Sequence, residues 1–204
     1  MGRFMQAIAE GDGISVVPLL EGDVASLAGL AEEAGAEAVA VWSAEDVELA
    51  RAQTDLPILV RAPRLDHTEE MDMLGADACA LPLRSLDDDG VLEGVYTSLS
   101  SSGIDCVVEV REEEQLEEAL ERVDPEMILI SERERDDDSD ELERTLDLLV
   151  DVPAGKLVIS EAHVGAREQV VALERAGVDA ILVGSAFLRE APDFASALAE
   201  LTGR

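Results

Sequence analysis

The sequence predicts an α/β fold: a (β/α)8 TIM barrel in a single domain, residues 1–204, with a short N-terminal cap. Three observations point there. The first is an internal echo: EEAGAEAVAV (32–41), DMLGADACAL (72–81), ERAGVDAILV (174–183) and, more loosely, SSGIDCVVEV (101–110). Each closes a helix-like stretch, turns on glycine, places an acid two residues later and enters an apolar run. Glycine at that point supplies the left-handed helix end, and the short turn delivers the chain into a buried strand. The second is that these runs are almost continuously apolar, the pattern of a parallel sheet covered by helices. The third is their number, eight, alternating with amphipathic segments.

Taken in order, residues 1–13 form a short helix or cap that closes the barrel floor. Strand-like runs follow at 14–20, 37–42, 57–61, 78–83, 104–110, 126–131, 156–161 and 180–184. Between them lie segments such as DVASLAGLAEEAG (23–35) and EEEQLEEALERV (112–123), with apolar residues at spacings of three and four. A doubly wound open sheet is the alternative. It carries a glycine-rich dinucleotide loop after its first strand, and EGD (21–23) is not one.

Composition bounds the rest. The chain has 204 residues, 47% of them hydrophobic but only 2% aromatic, so its core must be built from Val, Leu, Ile and Ala. No apolar stretch reaches the roughly 18 residues that span a bilayer. The start, MGRFMQAIAEGDG, has no signal-peptide core, and Met5 and Gln6 do not complete a myristoylation motif, so a cytoplasmic location is expected. Cys79 and Cys106 fall inside predicted strands and read as small buried hydrophobes.

Asp and Glu number 47 against 15 Lys and Arg, for a formal charge of −32. Such a surface excludes nucleic acid and anionic membranes as partners. At low salt the self-repulsion strains the fold, and at molar salt, with a Debye length of about 3 Å, it fades. The composition therefore suggests a cytoplasm rich in salt. The competing reading, an acidic face for a cationic protein partner, fits less well because the acid is spread along the chain.

In such barrels the active site lies at the C-terminal strand ends. Those ends offer Glu21, Trp42 and Ser43, Arg61, Arg84, Glu109 and Arg111, Ser131 with Glu132 and Arg133, Ser160 with Glu161 and His163, and Gly184 with Ser185. In ILVGSAFLRE (181–190) a strand breaks at Gly184-Ser185 and restarts as a short helix, which presents free backbone N–H groups to an anion. The loops after strands 7 and 8 are the usual phosphate cup, so a small phosphorylated metabolite is the expected ligand. Glu109 and Glu161 are acids inside apolar strands. They are costly there unless they face the mouth as proton carriers or pair with Arg61 or Arg133. His163 is a candidate phosphate donor or acid–base group, and His67 reads as surface. The run DDDSDE (136–141) lacks the spacing of a calcium loop, and no metal site is expected. Lys156, the only lysine, begins strand 7 at the floor, so a Schiff base has no nucleophile at the mouth.

ISVV, LPILVRAP, GADACALPL, VVEVREEEQLEEAL, ILISERE, LVISEAHV and AGVDAILVGSAFLR, in this order, resemble indole-3-glycerol phosphate synthase. The resemblance runs from Phe4 to Arg189. It implies a metal- and cofactor-free carboxy-lyase of tryptophan biosynthesis that closes an indole ring on a carboxyphenylamino-deoxyribulose phosphate. Glu109 corresponds to the family's strand-5 glutamate and Glu161 to its strand-7 glutamate, with Ser160 as the serine before it. Gly184 and Ser185 correspond to its phosphate turn, and Arg133 to the arginine after its strand-6 asparagine. The departures are equally specific. Leu19 and Glu21 stand where the family has a glutamate and a lysine, and Arg61 stands for its strand-3 lysine, a general acid. Ser131 stands for the strand-6 asparagine, and Ala162 and His163 for a serine and a glycine. The resemblance thus implies an ancestral lyase with lost or altered activity. A non-catalytic paralogue that binds a ligand or a protein is the alternative. A different enzyme of the wider phosphate-binding barrel group is a third reading.

Overall fold

The computed structural model describes residues 1–11, 13–61, 75–86, 90–131, 141–161, 164–184 and 193–203. Eight parallel strands run β1 (Ser15–Pro18), β2 (Val39–Val41), β3 (Ile58–Val60), β4 (Ala78–Pro82), β5 (Asp105–Val110), β6 (Met127–Ser131), β7 (Leu157–Glu161) and β8 (Ala180–Val183). Each lies within the run expected from sequence. Ladders join β1 to β8 and continue in sequence order from β8 to β2. The seam between β1 and β2 is closed by a parallel bridge, Leu19 to Ala40, where the Leu20 N–H donates to the Ala40 carbonyl at 2.8 Å. The result is a (β/α)8 barrel.

Helices α1 (Arg3–Ala9), α2 (Val24–Glu33), α3 (Ala44–Arg51), α4 (Val91–Ser101), α5 (Glu113–Arg122), α6 (Glu141–Leu149), α7 (Arg167–Ala176) and α8 (Phe194–Thr202) are present among the described residues. Their starts follow from local chemistry. Asp23, Ser43 and Asp193 each accept a backbone N–H of the first helical turn through their side chains, which satisfies a donor the helix leaves open. The echo's glycine behaves as expected after α7, where Gly177 closes the helix at φ 105°.

Burial divides into two cores. Between sheet and helices pack residues such as Val16, Val39, Val60, Val108, Ile128 and Ile181, against Val24, Ala28, Leu92, Leu116 and Val170. Inside the barrel sit Val17, Leu19, Ala40, Leu59, Ala80, Val107, Leu129, Ile159 and Leu182, alternating along each strand with the outer set. Phe4, Met5 and Ile8 of α1 join this inner core, so the N-terminal helix plugs one end. Cys79 and Cys106 form no disulfide and are buried in the outer core.

The acid of the echo has a structural duty at that same end. Glu37 accepts the Val16 N–H at 3.0 Å, Asp77 the Ile58 N–H at 2.9 Å, and Asp179 the Val158 N–H at 2.7 Å. In the last two cases the acid's own N–H donates back to the carbonyl of the same partner residue. Each carboxylate therefore completes a ladder at the start of the neighbouring strand, where a buried N–H would otherwise lack an acceptor. Asp105 instead receives the Gly2 and Met5 N–H groups at 2.9 Å and ties α1 to the floor. A Cβ on Gly2 would stand 2.4 Å from the Asp105 carboxylate, so only glycine allows this approach.

Candidate active site

Continuing the inner face by two residues reaches the mouth. Past Leu59, Val107, Leu129 and Ile159 come Arg61, Glu109, Ser131 and Glu161. The side chains of the inner core give way there to a polar layer. Arg61 lies at its centre and is only 2% exposed. One terminal nitrogen, Nη1, is bonded to Glu161 Oε1. The other, Nη2, reaches Ser131 Oγ at 3.0 Å and Glu109 Oε2 at 3.2 Å. Ser131 Oγ in turn donates to Glu161 Oε2 at 2.6 Å. Both oxygens of Glu161 are thereby engaged, and three strands are tied to β3 through one guanidinium.

Two further contacts extend the layer. The Arg61 guanidinium carbon lies 5.7 Å from the centroid of Trp42, within range of a cation–π contact. The Trp42 indole N–H donates to Glu21 Oε1 at 2.8 Å, so the end of β2 is joined to the segment after β1. On the other side, Arg111 approaches Glu109 Oε1 with Nη2 at 3.0 Å and Nε at 3.4 Å. Its own backbone N–H donates to Gln115 Oε1 at 2.9 Å, fixing the turn into α5. The stretch EGD after β1 divides its labour: Glu21 serves the mouth, Gly22 turns at φ 85°, and Asp23 caps α2.

The structure thus gathers Arg61, Glu109, Ser131 and Glu161, all expected at the mouth. Ser160 lies elsewhere: its buried hydroxyl is 3.5 Å from Thr145 Oγ1 of α6, on the opposite face of β7 from Glu161. Gly184 follows β8 on the parity of Ala180 and Leu182, and among the described residues nothing stands within 4 Å of where its Cβ would be. Ser185, His163 and Arg133 lie outside the described residues, as do Glu132, Ala162 and His67. Arg84 is exposed in the turn Leu83–Ser85 after β4. Trp42, Glu21 and Arg111 belong to the cluster although sequence reasoning named them only as strand ends. Among the described residues no group of three or more His, Cys, Asp or Glu could hold a metal ion, and no helix is long and apolar enough to cross a membrane.

Comparison with known proteins agrees with this architecture. 3-Hexulose-6-phosphate synthase superposes with a TM-score of 0.77 at 16% identity, covering 93% of this chain and 99% of that one. N-acetylmannosamine-6-phosphate 2-epimerase from Clostridium perfringens superposes at 0.70 and 16%, covering 86% and 87%. At such identities the likeness concerns the fold. Closer in sequence is indole-3-glycerol phosphate synthase of Geobacillus thermodenitrificans, 31% identical over 179 residues, or 83% of this chain and 69% of that protein. The enzyme of the same name from Variovorax paradoxus is 36% identical over 143 residues, 69% of this chain and 53% of its own length. The family model for indole-3-glycerol phosphate synthase matches residues 21–201, and this chain belongs to that family.

Proposed function

We propose that the barrel binds a small phosphorylated metabolite at its mouth and that the family's ring-closing decarboxylation is lost or altered in this chain. The observation that carries the reading is the state of Arg61. The resemblance places a proton-donating lysine at this position, and an arginine holds its proton too tightly to transfer it near neutral pH. Here the guanidinium is also bound to Glu109, Glu161 and Ser131 together. It acts as a counter-ion that orders two carboxylates and not as an acid. The phosphate half of the reading rests on Gly184 at the end of β8, beside which the space is open among the described residues, and on the phosphorylated compounds named for the proteins of like fold. Retention of both glutamates favours one second reading, a lyase in which Glu109 and Glu161 still move protons.

The test is incubation with the carboxyphenylamino-deoxyribulose phosphate at low salt and in ~2–3 M KCl, a range in which surface repulsion is screened. Indole fluorescence reports product and thermal melting reports binding. The expected outcome is saturable stabilisation by the phosphorylated compound without turnover above background. Turnover that disappears in Glu109→Gln would replace this reading with the lyase.

A further inference from the structure

We infer that Arg111 is a receptor for an oxyanion group of the ligand, and that it takes up this group by exchanging it for Glu109. The inference rests on the reading that the mouth binds an anionic metabolite, and it names a second point of attachment, at the end of β5, besides Gly184 at the end of β8.

Among the described residues two cations join the polar layer of the mouth, and they are not equivalent. Arg61 is bound to two carboxylates, a hydroxyl and an indole face, and its side chain is 3% exposed. Moving it would leave Glu109 and Glu161, both largely buried, together without their shared counter-ion. Arg111 sits at the rim with a side chain 15% exposed. If it swings away, Glu109 still has Arg61 Nη2 on its second oxygen at 3.2 Å. Of the pair, Arg111 is the one whose release of Glu109 leaves both Glu109 and Glu161 held by Arg61. Its backbone stays fixed by the Gln115 side chain during the exchange. Glu109 lies in β5 and Arg111 directly follows its last residue, Val110, and the two side chains meet at 3.0 Å. An anion that approached Glu109 directly would be repelled, whereas one that meets Arg111 first finds a planar fork of donors suited to carboxylate or phosphate oxygens. The group recognised is an oxyanion, either tetrahedral phosphate or planar carboxylate.

Trp42, the sole tryptophan, lies against Arg61 and so three contacts from Arg111, through Arg61 and Glu109. Its emission reports the exchange. The experiment titrates the whole chain with inorganic phosphate in one arm and acetate in the other, at constant ionic strength. It follows Trp42 emission and melting temperature for the unaltered chain, Arg111→Gln, Arg111→Lys and Gly184→Val. Loss of a charge-assisted contact predicts at least about tenfold weaker anion binding in Arg111→Gln. Arg111→Lys, which keeps the charge but not the fork, should fall between and keeps the test valid if the glutamine variant folds poorly. The stronger arm identifies the geometry preferred. Unchanged affinity in both Arg111 variants overturns the inference, and so does the lack of any saturable emission change in either arm. Weakening in Gly184→Val alone would sink the Arg111 site and leave the phosphate cup. Weakening in the Arg111 variants alone supports Arg111 and tells against the cup.

Discussion

Replacing Arg61 by methionine keeps most of the side-chain volume and removes the one charge that four groups share. Glu109 is 5% exposed and Glu161 has a side chain 12% exposed, so water replaces the guanidinium poorly. Breaking one side of a buried ion pair costs about 3–5 kcal/mol, because a carboxylate is left unpaired. Arg111 continues to hold Glu109 Oε1 at 3.0 Å, so Glu161 bears most of that loss. For a chain of this length the cost lowers Tm by roughly 6–20 °C, taking 2–4 °C per kcal/mol. Urea denaturation at fixed salt, with the slope checked for constancy, measures it. Adding Glu161→Gln to Arg61→Met should recover part of the loss, since the unpaired charge goes with it. A loss below about 1 kcal/mol in Arg61→Met, the range of exposed pairs, would refute the reasoning: the mouth would then be wet and Arg61 would order nothing.

Two further outcomes are expected. Burial pushes the Asp179 carboxyl above its ordinary value of 3.8, opposed in part by its bond from the Val158 N–H. The folded state therefore binds more protons than the unfolded one between those two values, and stability falls as pH rises through that window. Asp179→Asn keeps an acceptor for Val158 and removes the slope, so its urea midpoint should gain on that of the unaltered chain between pH 3.5 and 7; parallel midpoints at the two pH values would contradict this. Burial likewise pushes the Cys106 thiol up to about 11, and Cys79 is fully buried. Mass spectrometry after iodoacetamide at pH 8 should show no alkylation of the folded chain and two adducts in denaturant.

The strands were legible because a parallel barrel buries both faces of each strand, and residues such as Val39–Val41 or Met127–Ile130 have little other use. The two glutamates could be found for the opposite reason: Glu109 and Glu161 interrupt such runs and need partners. Arg61 could be named as a partner, but its simultaneous hold on both acids could not, since that depends on the closure of the barrel. Parity along each strand carries further information. Counting by twos from Leu157 assigns Glu161 to the mouth and Ser160 to the helix side, where it lies against Thr145. The same count from Ala38 and Ala40 reaches Trp42, and from Val107 it reaches Glu109 and then Arg111. The link between Trp42 and Glu21 lies across the β1–β2 seam, and no local pattern announces it. The acids of the echo were visible as a repeat, while their duty appears only once the neighbouring strand is in place.

That duty bears on how the chain can be engineered. A charge of −32 invites neutralisation for work in dilute buffer, and carboxylates on helix surfaces, such as those in Glu112–Glu118, are open to it. Glu37, Asp77, Asp105 and Asp179 are not interchangeable with them, because each closes a backbone bond at the barrel floor. A redesign that lowered charge by composition alone would treat these four as surplus and open the floor. One that kept the fourfold Gly-x-acid signature as a fixed frame could change the outer surface while leaving the mouth, at the far end of the same strands, undisturbed.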